Sequence, residues 1–224
     1  MGLLVGADAV LFDLDDTLLD YSNARDAGVR AWVQEVDAAR HPGDAVHVWR
    51  ELEELHFRRY SAGEVSFDEQ RRARLRAFWP HLSSAAVDEL DCAFAEYFAH
   101  TEAAWTPVPG AVETVQEIAR RMPVGVLTNG QAELQVRKLR VLGLDHVPLF
   151  ASSELPAPKP DLRAFEAACI ELGPAPFRTV MVGDDIATDI EGALLAGLRA
   201  VWFARGAHGA SPVPVISDLR ELLA

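Results

Sequence analysis

Three features of the sequence predict an α/β fold, with a three-layer core on a parallel sheet and an inserted all-helical domain. Short apolar runs end abruptly on polar residues, as strands buried on both faces do. Helical stripes alternate with those runs, the pattern of a sheet flanked by helices. One long stretch, from about residue 17 to 106, carries helical stripes and no strand-like run.

The first expected strand is Ala9-Val10-Leu11-Phe12, which stops at Asp13. The strand-free stretch follows. Ala24, Ala27, Ala31 and Trp32 begin one helical stripe there, and Val87, Leu90, Phe94 and Tyr97 form another. Pro42-Gly43, Ala62-Gly63 and Pro80 divide it into about four helices. Twelve of the chain's 18 aromatic residues fall in this insert, among them Trp32, Trp49, Trp79 and Trp105, and predict a small core of its own. Pro107-Val108-Pro109-Gly110 marks the return to the α/β pattern. Val112, Val115, Ile118 and Ala119 then predict a helix over 111–121. Strands are expected at Val124–Leu127, Leu149–Ala151, Val180–Val182 and Ala200–Phe203. Leu162, Phe165, Ala168, Cys169 and Leu172 predict a helix over 161–172, which Asp161 is placed to cap. Residues 1–16 and 107–224 are thus expected to form the core, and 17–106 the helical insert.

The charge balance limits the partners. Against 34 acidic residues stand 21 basic ones, a net −13 at neutral pH. A nucleic-acid binder would carry the opposite sign, so none is expected. An anionic substrate would have to be met by local cations. Only Lys138 and Lys159 among the basic residues are lysines, which singles both out. No run approaches the ~18 apolar residues of a membrane span. Asp8 and the Asp13-Leu14-Asp15-Asp16 cluster break up any secretory-type leader. Cys92 and Cys169 supply neither a disulfide framework nor zinc spacing, and both read as core positions. A cytoplasmic protein with no membrane partner is the expectation.

Four polar features follow the expected strands or their loops: Asp13-Leu14-Asp15-Asp16-Thr17, Thr128-Asn129-Gly130, Lys159-Pro160-Asp161, and Gly183-Asp184-Asp185 with Asp189 beyond. In an open α/β sheet such positions converge outside the carboxyl ends of the strands. Carboxylates gathered there repel one another unless a cation joins them, and a site of few oxygen ligands suits Mg²⁺. An aspartate beside such a metal can attack phosphorus. A second carboxyl two residues on can serve as acid and then base. A threonine hydroxyl and a lysine ammonium can hold phosphoryl oxygens.

The set Asp13-x-Asp15-x-Thr17, Thr128, Lys159 and Gly183-Asp184-Asp185-x-x-x-Asp189 resembles the haloacid dehalogenase-like hydrolase superfamily, with all four of its motifs present in order across residues 8–191. The resemblance implies a Rossmann-like core whose helical insert is a type-one cap that selects substrate. It also implies Asp13 as nucleophile and Asp15 as acid and base. Thr128, Asn129 and Lys159 would bind the substrate phosphate. Mg²⁺ would lie on the Asp13 and Asp184 carboxylates and the Asp15 carbonyl, with Asp185 and Asp189 supporting its waters or orienting Lys159. Asp16 and Thr17 would shape the turn into the insert. The expected activity is Mg²⁺-dependent hydrolysis of a small phosphorylated metabolite through an aspartyl-phosphate.

Three other readings share parts of this pattern. A 2-haloacid dehalogenase of the same superfamily needs no metal and typically lacks the second aspartate, which is present here as Asp15. A phosphomutase shares the aspartyl-phosphate step. A phospho-accepting signalling module also clusters aspartates, Thr and Lys, but carries its acceptor on a middle strand and has no large helical insert. Tyr21, Asn23, Arg58, Arg59 and Arg71 are candidates for substrate contact from the insert, though a solvated helix face is the more ordinary setting for each.

Overall fold

The computed structural model describes residues 2–37, 39, 41–206 and 210–224. The chain divides into two compact units, an α/β unit (Met1–Asp20 and Thr106–Ala224) and a helical unit (Tyr21–Trp105). Residues 17–20 and Thr106 fall with the α/β unit because the chain leaving it and the chain re-entering it are tied together. Asp20 N–H donates to the Thr106 carbonyl at 2.9 Å and Val108 N–H to the Leu18 carbonyl at 2.9 Å.

The α/β unit is built on a six-stranded sheet in the order β3-β2-β1-β4-β5-β6, all pairs parallel. The strands are β1 (Ala9–Phe12), β2 (Val124–Thr128), β3 (Leu149–Ala151), β4 (Thr179–Gly183), β5 (Arg199–Phe203) and β6 (Val215–Ile216). Every residue of β1, β2 and β4 is buried, so these strands read as unbroken apolar runs rather than alternating ones. The two-residue β6 is too short to leave a periodic signal in sequence.

Helices α5 (Ala111–Ala119), α6 (Ala132–Val141) and α7 (Leu162–Leu172) belong to this unit, with the short α8 (Gly192–Leu195) after a π-helical turn at Ile186–Glu191. Asp161 caps α7, accepting from the Arg163 N–H at 3.0 Å, and Gly173 ends it at φ 106°, a conformation that costs glycine little. Phe165, Ala168 and Cys169 of α7 pack with Leu11, Leu127 and Met181 of the sheet. β1 lies between β2 and β4, while the chain runs outward through β2 and β3 before crossing back to β4. That reversal opens a crevice at the carboxyl ends of β1 and β4.

The helical unit contains α1 (Tyr21–Val36), α2 (Pro42–Ser61), α3 (Phe67–Phe78) and α4 (Val87–Ala103). Pro42 stands in the first turn of α2, where its missing N–H costs nothing, and Ser66 with Glu69 forms a capping box on α3. The aromatic residues make a core. Trp32 lies 5.7 Å from Trp49, edge to face, and 5.7 Å from Phe78, stacked, while Tyr97 sits 4.5 Å from Trp49. Gly28 lets α1 and α4 approach, since a Cβ there would stand 2.2 Å from Thr101 Oγ1. Cys92 is exposed, contrary to the core position expected for it. The buried stripe of α4 runs Leu90, Phe94, Tyr97, Thr101, and a residue two places from Leu90 points to the opposite side of the helix.

Candidate active site

The expected site residues are carried by the α/β unit alone. Phe12, the last residue of β1, pairs with Val126 of β2 and Val182 of β4. Asp13 is the next residue, and its N–H still donates to the Val182 carbonyl at 2.9 Å. Thr128 closes β2 and Asp184 follows β4, so the three positions lie within two residues of one level on the sheet's carboxyl edge.

Lys159 joins the groups at that edge. Its ammonium donates to Asp13 Oδ1 at 2.6 Å and to Asp189 Oδ1 at 2.6 Å, with its side chain 2% exposed. Burial alone would lower its pKa, but the charges of Asp13 and Asp189 outweigh that and raise it, keeping the group an ammonium. The backbone is held as firmly. Lys159 N–H donates to Asn129 Oδ1 and Asn129 Nδ2 donates back to the Lys159 carbonyl, each at 2.9 Å. The Asn129 side chain, expected to meet phosphate, is therefore engaged on the lysine's main chain.

Asp189 reaches Lys159 because Gly183 has no side chain. A Cβ at Gly183 would lie 2.3 Å from Asp189 Oδ2 and 2.4 Å from its Cγ. Asp189 also accepts from the Asp185 N–H at 3.1 Å. Asp185 turns outward and caps the π-helical turn, accepting from Thr188 N–H at 2.7 Å and Thr188 Oγ1 at 3.0 Å. Of the two acids expected to compete for the role, Asp189 is thus the one in contact with Lys159.

Among the described residues the Asp184 carboxylate has no ion-pair partner and accepts from Thr17 Oγ1 at 3.3 Å, while its backbone carbonyl accepts from Trp202 Nε1 at 2.9 Å. Asp16, at φ 63°, makes the turn that presents Thr17. Arg205 holds that turn through Asp16 (2.9 Å) and Asp20 (2.6 Å). One oxygen each of Asp13, Asp184 and Asp189 lie within 4.8 Å of one another. The crowding shows in their protonation. Burial, followed by the charges of Asp13 and Asp189, pushes Asp184 up to about 8. Burial pushes Asp13 up to about 6 against the pull of Lys159. Fully ionised, the four carboxylates of Asp13, Asp15, Asp184 and Asp189 would outnumber the two ammonium groups by two charges, the excess that a divalent cation would cancel. An all-oxygen donor set is also the kind that Mg²⁺ takes.

The second ammonium belongs to Lys138 on α6, which was marked in the sequence only by the scarcity of lysine. Its Nζ contacts both carboxylate oxygens of Asp15, at 2.7 and 2.6 Å. Gln135, one turn before it, donates to Thr128 Oγ1 at 3.3 Å and to the Asn129 carbonyl at 3.1 Å, and had no signal in sequence. Among the insert candidates, Tyr21 donates to Glu53, Arg58 and Arg59 pair with nearby glutamates, and Arg71 lies over the Phe67 ring at 4.0 Å.

Comparison with known proteins decides the family. The sequence pattern of haloacid dehalogenase-like hydrolases matches residues 7–197. The chain belongs to this family. It is an enzyme, a hydrolase, with the Rossmann-like core of that family. It is similar to a phosphoserine phosphatase of Thermus thermophilus, with 35% identity over 95% of this chain and 96% of that one. It is also similar to the pyrimidine 5'-nucleotidase YjjG of Escherichia coli, with 31% identity over 73% of this chain and 74% of the other. In fold it matches the magnesium-bound structure of YfnB from Bacillus subtilis, with a TM-score of 0.79, 24% identity and 96% of each chain covered.

Proposed function

We propose that this hydrolase is a Mg²⁺-dependent phosphatase that cleaves a small phosphorylated metabolite through a phosphoryl group carried on Asp13. The observation that carries the reading is the cluster of Asp13, Asp184 and Asp189 oxygens within 4.8 Å, with Lys159 at 2.6 Å from two of these residues. The similarity to proteins named as a phosphatase and a nucleotidase supports it.

Asp13 and Asp184, with the Asp15 carbonyl, would hold the cation. When bound, Mg²⁺ supplies positive charge against the negative oxygens of the phosphoryl group. The chain's own residues do the rest. Asp13 Oδ attacks phosphorus as the P–O bond to the leaving alcohol breaks, and the Asp15 carboxyl gives its proton to that oxygen. Water then attacks the same phosphorus and loses a proton to the Asp15 carboxylate, and the Asp13–phosphorus bond breaks. Thr128 and Lys159 hold the phosphoryl oxygens, Asn129 and Asp189 keep Lys159 in place, and Asp185 secures the turn that carries Asp189. The role of substrate selector goes to the helical unit, as the family resemblance implies. Cytoplasmic residence belongs to the same proposal; no described helix is long and apolar enough to cross a membrane.

A panel of phosphate monoesters tests the reading, assayed with Mg²⁺ and with EDTA. Phosphate release that stops with EDTA and in Asp13→Asn is expected. Release that survives either treatment contradicts the mechanism, and halide release from 2-halo acids without phosphate release would replace it with dehalogenation.

A further inference from the structure

Lys138 is buried at 2% exposure, yet it sits beside a carboxylate that is 29% exposed. Both Asp15 oxygens engage its ammonium, at 2.7 and 2.6 Å, across 123 residues of sequence. Burying a lysine is expensive, and an apolar residue would fill the same place on α6 at lower cost. A purely structural account leaves that expense without a purpose. An ionised carboxylate has about four acceptor sites, and the ammonium engages both of its oxygens. Acceptor sites remain for a further partner on a side chain that is 29% exposed. The neighbouring lysine is spoken for, since Lys159 contacts Asp13 and Asp189.

We propose that Lys138 is a positioning residue of the phosphatase reaction. It fixes the Asp15 carboxyl in the one orientation from which a proton passes to the leaving oxygen and, in the second half, is taken from water. It touches neither substrate nor the reacting phosphorus. This rests on the reading of Asp15 as the acid and base, so the test separates the two.

The experiment measures kcat/KM on two esters, an alkyl phosphate whose leaving oxygen needs a proton and p-nitrophenyl phosphate whose leaving group departs without one. Four proteins are compared in saturating Mg²⁺: wild type, Lys138→Met, Asp15→Asn, and the double variant. General acid catalysis contributes about 10²–10⁴-fold. Lys138→Met is therefore expected to lose about 10²-fold on the alkyl ester and less than about 5-fold on the nitrophenyl ester. In the Asp15→Asn background, Lys138→Met should change neither value by more than about 2-fold, because the residue it serves is gone. Equal losses on both esters, or no loss on either, overturn the proposal. So does a full Lys138→Met effect in the Asp15→Asn background. If Asp15→Asn itself shows no preference between the esters, the acid–base reading of Asp15 fails, and Lys138 falls with it. Should Lys138→Met fail to fold, the double variant, which strands no carboxylate, and Lys138→Gln carry the comparison. Lys138→Arg, which restores a cation, is expected to recover part of the alkyl-ester activity.

Discussion

Replacing Lys159 with methionine puts the heart of the site to the test. The ammonium lies 2.6 Å from both Asp13 and Asp189, whose side chains are 9% and 2% exposed. At that separation each pairing gains about 6 kcal/mol of Coulomb energy at an effective dielectric near 20. Against this stand the several kcal/mol that the buried ion costs in lost hydration. Breaking a buried pair leaves roughly 3–5 kcal/mol of net destabilisation. For a chain of this size that is a fall in the melting temperature of roughly 6–20 °C. Catalysis should fall further than stability explains. The phosphoryl oxygens lose a fixed donor, worth about 10²–10³ in kcat. Lys159→Met with Asp189→Asn separates the two effects. Removing the stranded carboxylate should recover part of the melting temperature and none of the activity. Differential scanning fluorimetry and steady-state phosphate release read both quantities. Activity in Lys159→Met within about twofold of wild type would refute the reasoning, as would activity regained in the double variant, since Lys159 would then be a charge balance only.

Gly183→Ala should act on the same group from behind. Its Cβ would stand 2.3 Å from Asp189 Oδ2, so Asp189 must withdraw from Lys159; a loss of about 1–3 kcal/mol in stability and at least about tenfold in kcat is expected, and a variant matching wild type in both contradicts the packing account. In the helical unit, burial pushes Asp26 up but hydrogen bonds and charge from Arg50 and Arg25 outweigh it, holding the carboxyl below its ordinary value. A depressed carboxyl stabilises the fold above its unfolded pKa of about 3.9 and loses that contribution as the pH falls through the folded value. Asp26→Asn should therefore cost about 1–2 kcal/mol at pH 7, discounted because Arg50 is half exposed, and the gap should close as the pH falls through the lowered folded value. Urea titration followed by tryptophan fluorescence measures it, and a gap that persists in acid would show that Asp26 acts through something other than charge.

Much of this was legible in the sequence because it rests on local rules. Strands β1, β2 and β4 are buried on both faces and so print near-continuous apolar runs that stop at or just before the candidate residues Asp13, Thr128 and Asp184. The four motifs could be placed because strand ends converge at a switch in strand order. Roles set by contacts across the fold were not legible. Lys138 meets Asp15 from 123 residues away, and nothing in the spacing within α6 announces it. Asn129 looks like a phosphate ligand in its motif, yet its amide is engaged by the Lys159 backbone 30 residues on. The choice between Asp185 and Asp189 depended on the missing side chain of Gly183 and on the turn at Thr188, both of which are matters of three-dimensional packing. Cys92 shows the same limit within one helix, where the residue type suggests a core position but the buried stripe of α4 passes it by.

Transfer of the phosphoryl group to Asp13 is the step on which the proposed mechanism turns. Rapid acid quench of the enzyme turning over a phosphate monoester in Mg²⁺, followed by peptide mass spectrometry, measures this directly. One added phosphoryl mass is expected on the peptide containing Asp13, lost on treatment with hydroxylamine and absent in Asp13→Asn. Phosphate released at full rate by an enzyme whose Asp13 peptide is never modified, or a phosphoryl group found on another residue, would contradict it.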